Sequence, residues 1–264
     1  MSKILIGRYL PGNSIIHRLD PRGKMVFTIL FIMVVFWANN LVTYACLLGF
    51  TLLVIRLSKI SLSYFFAGMK SFIFLIVLVV VVQMFFTPGG KVYFHWGLIW
   101  LTSSGLKSAF YMFLRLLINI NISTILTLTT SPLLIADSIE SLLKPLKLLG
   151  VPTQVIGLMI SIALRFIPTI ADSAQKIINA QMSRGVDFND SSLKKRILNI
   201  IPLLVPLLES NFKMAEDLAV AMESRGYIPE AKRTKYRIMR WHLADTASYI
   251  ILGVITILTW VLKS

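Results

Sequence analysis

The feature that most constrains this chain is an absence: no Asp or Glu occurs between Asp20 and Asp137. Across residues 25–131 the only Lys or Arg are Arg56, Lys59, Lys70, Lys91, Lys107 and Arg115. A soluble domain carries roughly a quarter of its residues as charges; here charged residues are 15% and hydrophobic ones 56%. Such a stretch cannot build a charged surface, so its solvent is lipid. In hydrocarbon a spanning segment must satisfy its backbone polar groups internally, and apolar runs of this kind do so as helices. The expected fold class is therefore an all-α polytopic membrane protein.

About 20 apolar residues are needed to cross about 30 Å of hydrocarbon. The first candidate span covers residues 21–38, with Asp20 as N-cap and Pro21 at the first helical position. Asn39-Asn40 turns the chain, and residues 41–55 return, closed by Arg56 and Lys59. A third span, 71–86, ends at Pro88-Gly89-Gly90. The fourth, 107–130, is the most polar, with Arg115, Asn119, Asn121 and several Thr; an Arg on such a helix snorkels or faces protein. The fifth is 246–262. Between the third and fourth, residues 91–104 are too short to span and rich in Trp, Tyr and His, as in an interfacial segment. His95 reads as part of that belt rather than as a metal ligand, since no second His or carboxylate lies near it in sequence.

Residues 132–244 differ in kind. They hold 15 of the 27 Lys and Arg and ten of the 12 acids, so at least one face is aqueous. Cytoplasmic loops collect Lys and Arg. That rule places this segment and the N-terminus, with Lys3, Arg8, Arg18, Arg22 and Lys24, in the cytoplasm of a multi-pass cell-membrane protein. The same rule accounts for the net charge of +15 without a nucleic-acid partner. Two apolar runs, 155–171 and 197–208, read as amphipathic helices lying against the membrane face. A span at 155–171 would put 12 Lys and Arg of residues 172–242 outside, and 197–208 carries Pro202 and Pro206. The expected organisation is a membrane domain (1–131, four spans), a cytoplasmic coupling domain (132–244) and a last span (245–264). Cys46 is a small packed hydrophobe, and the N-terminal residues lack the apolar core of a removable leader.

Within the polar segment the chain repeats itself. AQMSRGVDF (180–188) and AMESRGYIP (221–229) align at an offset of 41 residues, matching Ala180/Ala221, Ser183/Ser224, Arg184/Arg225 and Gly185/Gly226. Each copy ends a pattern of helical period. Gly permits the left-handed conformation that ends a helix, and Arg complements the negative end of its dipole. One such ending is an ordinary cap. Two matched endings also suit a partner with two equivalent grooves lined by carboxylates and carbonyls, because a guanidinium is a planar fork of donors.

Catalytic signatures are missing. The sequence has no GxxxxGK[ST] phosphate loop, no HExxH, no GxSxG and no His/Cys cluster. No catalytic, cofactor or metal residue is expected, and energised work would need a separate nucleotide-binding subunit.

The paired Ser-Arg-Gly endings, four N-terminal spans, a long polar helical segment and a last span resemble the transmembrane T component of energy-coupling factor transporters, the EcfT family (CbiQ in cobalt systems). The residues HRLDPRGK (17–24) resemble that family's entry motif of Leu-Asp-Pro-Arg followed by a basic residue. The resemblance implies a non-catalytic coupling subunit of an ABC importer for a vitamin or metal ion. It implies two ABC-type ATPases, identical or distinct, docking at Ser183, Arg184, Gly185 and Ser224, Arg225, Gly226, and a separate membrane S component that binds the substrate. The family usually shows Ala-Arg-Gly where both copies here read Ser-Arg-Gly. The alternative is a conventional ABC permease containing the solute path itself. From the residues alone, Asp20-Pro21-Arg22 is a helix start.

In a Cys46→Ser background, single cysteines at Ser191 and Ser264 should label from opposite faces of the membrane, Ser191 from the cytoplasmic one. Labelling of both from one face would refute the expected parity of spans.

Overall fold

The computed structural model describes residues 9–96, 99–145, 150, 152–186, 193–228 and 241–262. Lys3, Arg8, Asp187 and Phe188 at the end of the first repeat, Pro229 at the end of the second and the basic run 232–240 lie outside the described residues. The helices are α1 (Ile15–Arg18), α2 (Pro21–Trp37), α3 (Leu41–Ser58), α4 (Leu62–Phe86), α5 (Ser103–Thr129), α6 (Pro132–Leu143), α7 (Thr153–Ser183), α8 (Leu193–Ser224) and α9 (Leu243–Val261). They fall into two compact units, residues 1–138 with 237–264, and residues 139–236.

In the first unit α5 packs against α2, α3 and α4, and α9 packs on α2 and α3. Phe31, Val35, Tyr44, Leu47 and Ile118 are fully buried there, while one face of each helix keeps large apolar side chains exposed, such as Met33, Leu53 and Phe74. An outward apolar face with a packed interior is what lipid solvent requires. α4 and α5 meet closely: a Cβ on Gly105 would stand 2.5 Å from the Met84 carbonyl oxygen.

By length and composition α3, α5, α7 and α9 can each cross a membrane, and so can α4 if its two halves count as one span. Those halves, Leu62–Lys70 and Phe72–Phe86, meet at 61°, so the expected third span corresponds to the second half. At 17 residues α2 reaches about 26 Å at 1.5 Å per residue, slightly short of the hydrocarbon thickness. α7 is the departure from expectation. Its stretch Val155–Ser183 passes the same test, because Arg165 is the only charge before Asp172.

The segment expected to be interfacial forms a hairpin, β1 (Val92–Trp96) antiparallel to β2 (Ile99–Thr102), in an otherwise helical chain. Its aromatic and β-branched residues favour extended backbone. The side chain of His95 lies outside what the structure describes. Thr102 locks the hairpin to α5: its hydroxyl accepts from Gly105 N (2.9 Å) and donates to Thr87 O (2.9 Å).

Much of the polarity of α5 is resolved internally, while Asn119 Oδ1 and Arg115 Nε are buried without a hydrogen-bond partner. Asn121 donates to Leu117 O, and Thr124 and Thr129 donate to Ile120 O and Ile125 O, four residues back. Arg115 faces protein. Its Nη2 donates to Phe36 O and Ala38 O, each at 3.4 Å, and its guanidinium lies 5.2 Å from the Phe36 ring centroid. It thus binds the last carbonyls of α2, where the helix dipole is negative. Arg115→Ala should cost about 1–2 kcal/mol, the sum of a helix-end charge and a cation–π contact, with Arg115→Lys intermediate. Detergent-phase unfolding of the purified chain checks this; equal midpoints for all three forms would refute it.

Candidate functional site

The second unit is organised by proline. α8 contains Pro202 and Pro206. Lacking an N–H, Pro206 cannot donate to the carbonyl of Pro202 four residues earlier. The amide of Gln181, in the last turn of α7, fills that place: its Nε2 donates to Pro202 O at 3.3 Å, and Gln181 is only 8% exposed. One side chain therefore pins the end of α7 beside the middle of α8. Sequence reasoning missed Gln181; the signal was the i, i+4 proline pair, which announces an orphaned carbonyl without saying what satisfies it.

Both Ser-Arg-Gly motifs end their helices in the same way. Gly185 (φ +87°) and Gly226 (φ +73°) are left-handed. Gly185 N donates to Met182 O (3.0 Å) and Val186 N to Gln181 O (3.1 Å). Gly226 N donates to Glu223 O (2.9 Å) and Tyr227 N to Met222 O (3.0 Å). These paired bonds form the Schellman motif, in which glycine supplies the left-handed residue. The expectation that the glycines terminate the helices holds at both copies.

The hydroxyls turn inward. Ser183 donates to Asn179 O (3.0 Å) and Ser224 to Ala221 O (3.1 Å), each satisfying a carbonyl of the final turn. Arg184 and Arg225 are exposed, each on the first non-helical residue of a rigid end. The structure does not bring the two together. With Gln181 bonded at Pro202, Arg225 stands 23 residues beyond that contact, a path along α8 of about 35 Å at 1.5 Å per residue. They are two separate tips of one helical pair.

A family model described as a cobalt transport protein matches residues 12–236. Along its whole length the chain is 50% identical to the energy-coupling factor transporter transmembrane protein EcfT of Streptococcus equi subsp. equi, of which it covers 98%. It is 47% identical to the EcfT of Streptococcus thermophilus and 45% identical to that of Listeria innocua, in both cases over the full length of both chains. The chain belongs to the EcfT/CbiQ family.

In this EcfT/CbiQ family chain the serine hydroxyls bond within their own helices, and the arginines stay exposed.

The left-handed glycines also set a prediction. A Cβ on Gly185 or Gly226 would meet nothing within 4 Å, so Ala there is opposed by backbone conformation alone, at about 1–2 kcal/mol. Gly185→Ala and Gly226→Ala should speed amide exchange in the last turn of α7 and α8 respectively, with Asn at the same positions milder. Unchanged exchange in both Ala variants would mean that the glycines do not hold these ends.

Proposed function

We propose that this chain transmits conformational change from two ABC-type ATPase subunits to a separate substrate-binding S component in an importer for a vitamin or metal ion. Arg184 and Arg225 are the two docking residues, supported by the neighbouring Ser183, Gly185, Ser224 and Gly226. The observation that carries this reading is the pair of exposed arginine tips closed by the same Schellman bonds, with about 35 Å of α8 between the Gln181–Pro202 contact and Arg225. Each arginine sits on a Schellman-closed end, so the backbone that carries it loses little conformational entropy when the side chain enters a groove. Two tips separated in this way suit two separate subunits.

In this reading residues 132–244 and the N-terminus are cytoplasmic, and α7 lies at the membrane face even though its composition would let it span. Crossing by α7 would carry the charged residues after it to the outer side, against the positive-inside bias.

The apolar character of the first unit favours a separate substrate-binding component over a permease with its own path. Its cavity, about 250 Å³, is lined by side chains such as Phe27, Phe50, Leu53, Ile122 and Ile251. The polar groups at its wall include Lys24 and Asp245, which are engaged in bonds inside the protein. Nothing in that lining converges on a polar solute. ATP binding and hydrolysis belong to the partner subunits in this scheme.

Arg184→Ala and Arg225→Ala should leave folding nearly unchanged, since exposed substitutions usually cost no more than about 0.5 kcal/mol. Each should weaken ATPase association, because losing one partner of a buried charged contact costs about 2–5 kcal/mol, and the double variant should be worst. Lys should rescue poorly where the groove reads the planar fork. Co-purification of ATPases and substrate uptake at matched membrane levels check this. Full activity of the double variant would sink the docking role.

A further inference from the structure

The second unit, residues 139–236, is inserted into the first. The chain leaves the first unit along α6 and returns ahead of α9. Within the first unit, the segments flanking the insertion, the α5–α6 junction (the exit joint) and the start of α9 (the re-entry joint), both bond to the same short turn, the entry to α2.

At the exit joint the ammonium of Lys24, on a side chain 8% exposed, donates to Thr129 O (3.2 Å) and to Thr130 Oγ1 (3.3 Å). Leu10 N donates to Leu128 O beside them (3.0 Å). At the re-entry joint Asp245, 1% exposed, accepts from Asp20 N at Oδ1 (2.8 Å) and from His242 N at Oδ2 (2.8 Å). One carboxylate thus caps α9 and holds the N-cap residue of α2. Asp20 in turn caps α2 through Arg22 N (2.9 Å). Tyr249 adds a bond from its hydroxyl to Gly23 O (3.0 Å) and stacks on Trp241, ring centroids 5.6 Å apart.

Buried charges are a poor device for stability alone, because well-packed apolar residues of similar volume serve as well or better. Three of them gathered at one turn, in a bundle otherwise almost free of charge, serve geometry: each donor and acceptor is fixed to a particular backbone group. We propose that Asp20, Lys24 and Asp245 form a clamp holding both joints of the inserted unit. Movement delivered at the Arg184 and Arg225 tips then passes into the bundle instead of being absorbed at the joints. They are positioning residues, and their role rests on the coupling reading above. The clamp also gives a purpose to the Asp-Pro-Arg entry sequence, which as a sequence reads only as a helix start.

The test uses the full complex with its partner subunits, reconstituted in vesicles. Three quantities are measured for Lys24→Met, Asp245→Asn and Lys24→Arg: complex assembled, ATP hydrolysed, and substrate taken up per ATP. The expected result is assembly and ATPase activity close to the parent, with uptake per ATP reduced about tenfold in the first two, inside the usual range of coupling between sites. Lys24→Arg, which keeps a charged donor, should restore most of it. A merely structural staple would lower assembly or thermal stability and leave uptake per ATP in the assembled fraction unchanged, and that outcome overturns the clamp. Should Lys24→Met and Asp245→Asn fail to assemble, Thr130→Val, which deletes a single bond at the exit joint, decides by the same ratio. Failure of the coupling reading shows separately, as a parent chain that supports uptake with no associated ATPase.

Discussion

Polar groups in this chain that enter hydrocarbon are favoured only where they find partners inside the protein, and most of the bundle's polar contacts follow from that constraint. An unpaired amide or hydroxyl in an apolar medium costs several kcal/mol, about as much as a whole helix contact provides. The Thr and Asn of α5 meet the requirement by bonding back along their own helix. Arg115 meets it by taking the final carbonyls of α2. Lys24 meets it with the final carbonyl of α5 and the hydroxyl of the next residue. The charged residues among these are therefore ties between helix ends, Arg115 holding the end of α2 against α5 and Lys24 the end of α5 against α2.

The same accounting governs the second unit. Two prolines give α8 a helix with carbonyls left over, and one of these becomes the anchor for α7 through Gln181. A defect in one helix thus sets the register of two. With that register fixed, the positions of the arginine tips follow from helix rise alone. The Schellman closures make each tip a stiff end and leave the guanidinium outside the closure. Stiffness and exposure together are what a docking residue needs. A flexible loop carrying the same Arg-Gly pair would lose much of its binding free energy to ordering.

Much of the fold was legible because membrane helices are written in composition. The N-cap at Asp20 and the closure of α7 and α8 at the two glycines each rest on a local rule, and each is found, whereas α4 begins at Leu62 inside what reads as a loop before residue 71. The hairpin at 92–102 was not read, since periodicity does not distinguish a short apolar run at an interface from a strand. Nor does sequence separate a helix that spans from one of equal hydropathy lying along the surface, and α7 is such a case. At the tips the repeated Ser-Arg-Gly named the residues, but the inward use of the serines had to be seen.

The sequence by itself determined that the chain lives in lipid, where α2 starts, where α7 and α8 stop, and which two arginines stand at helix ends. Those properties depend on neighbours a few residues apart, through caps, dipoles and apolar runs. Tertiary structure decided what the long-range polar groups do: Asp245 holds the backbone of Asp20, 225 residues away; Lys24 reaches Thr129 and Thr130; Gln181 finds Pro202. A charged or amide side chain records only that it needs a partner. Which of many carbonyls and amides satisfies it is settled when the helices pack, because partner choice depends on the register and crossing of helices that no local rule contains.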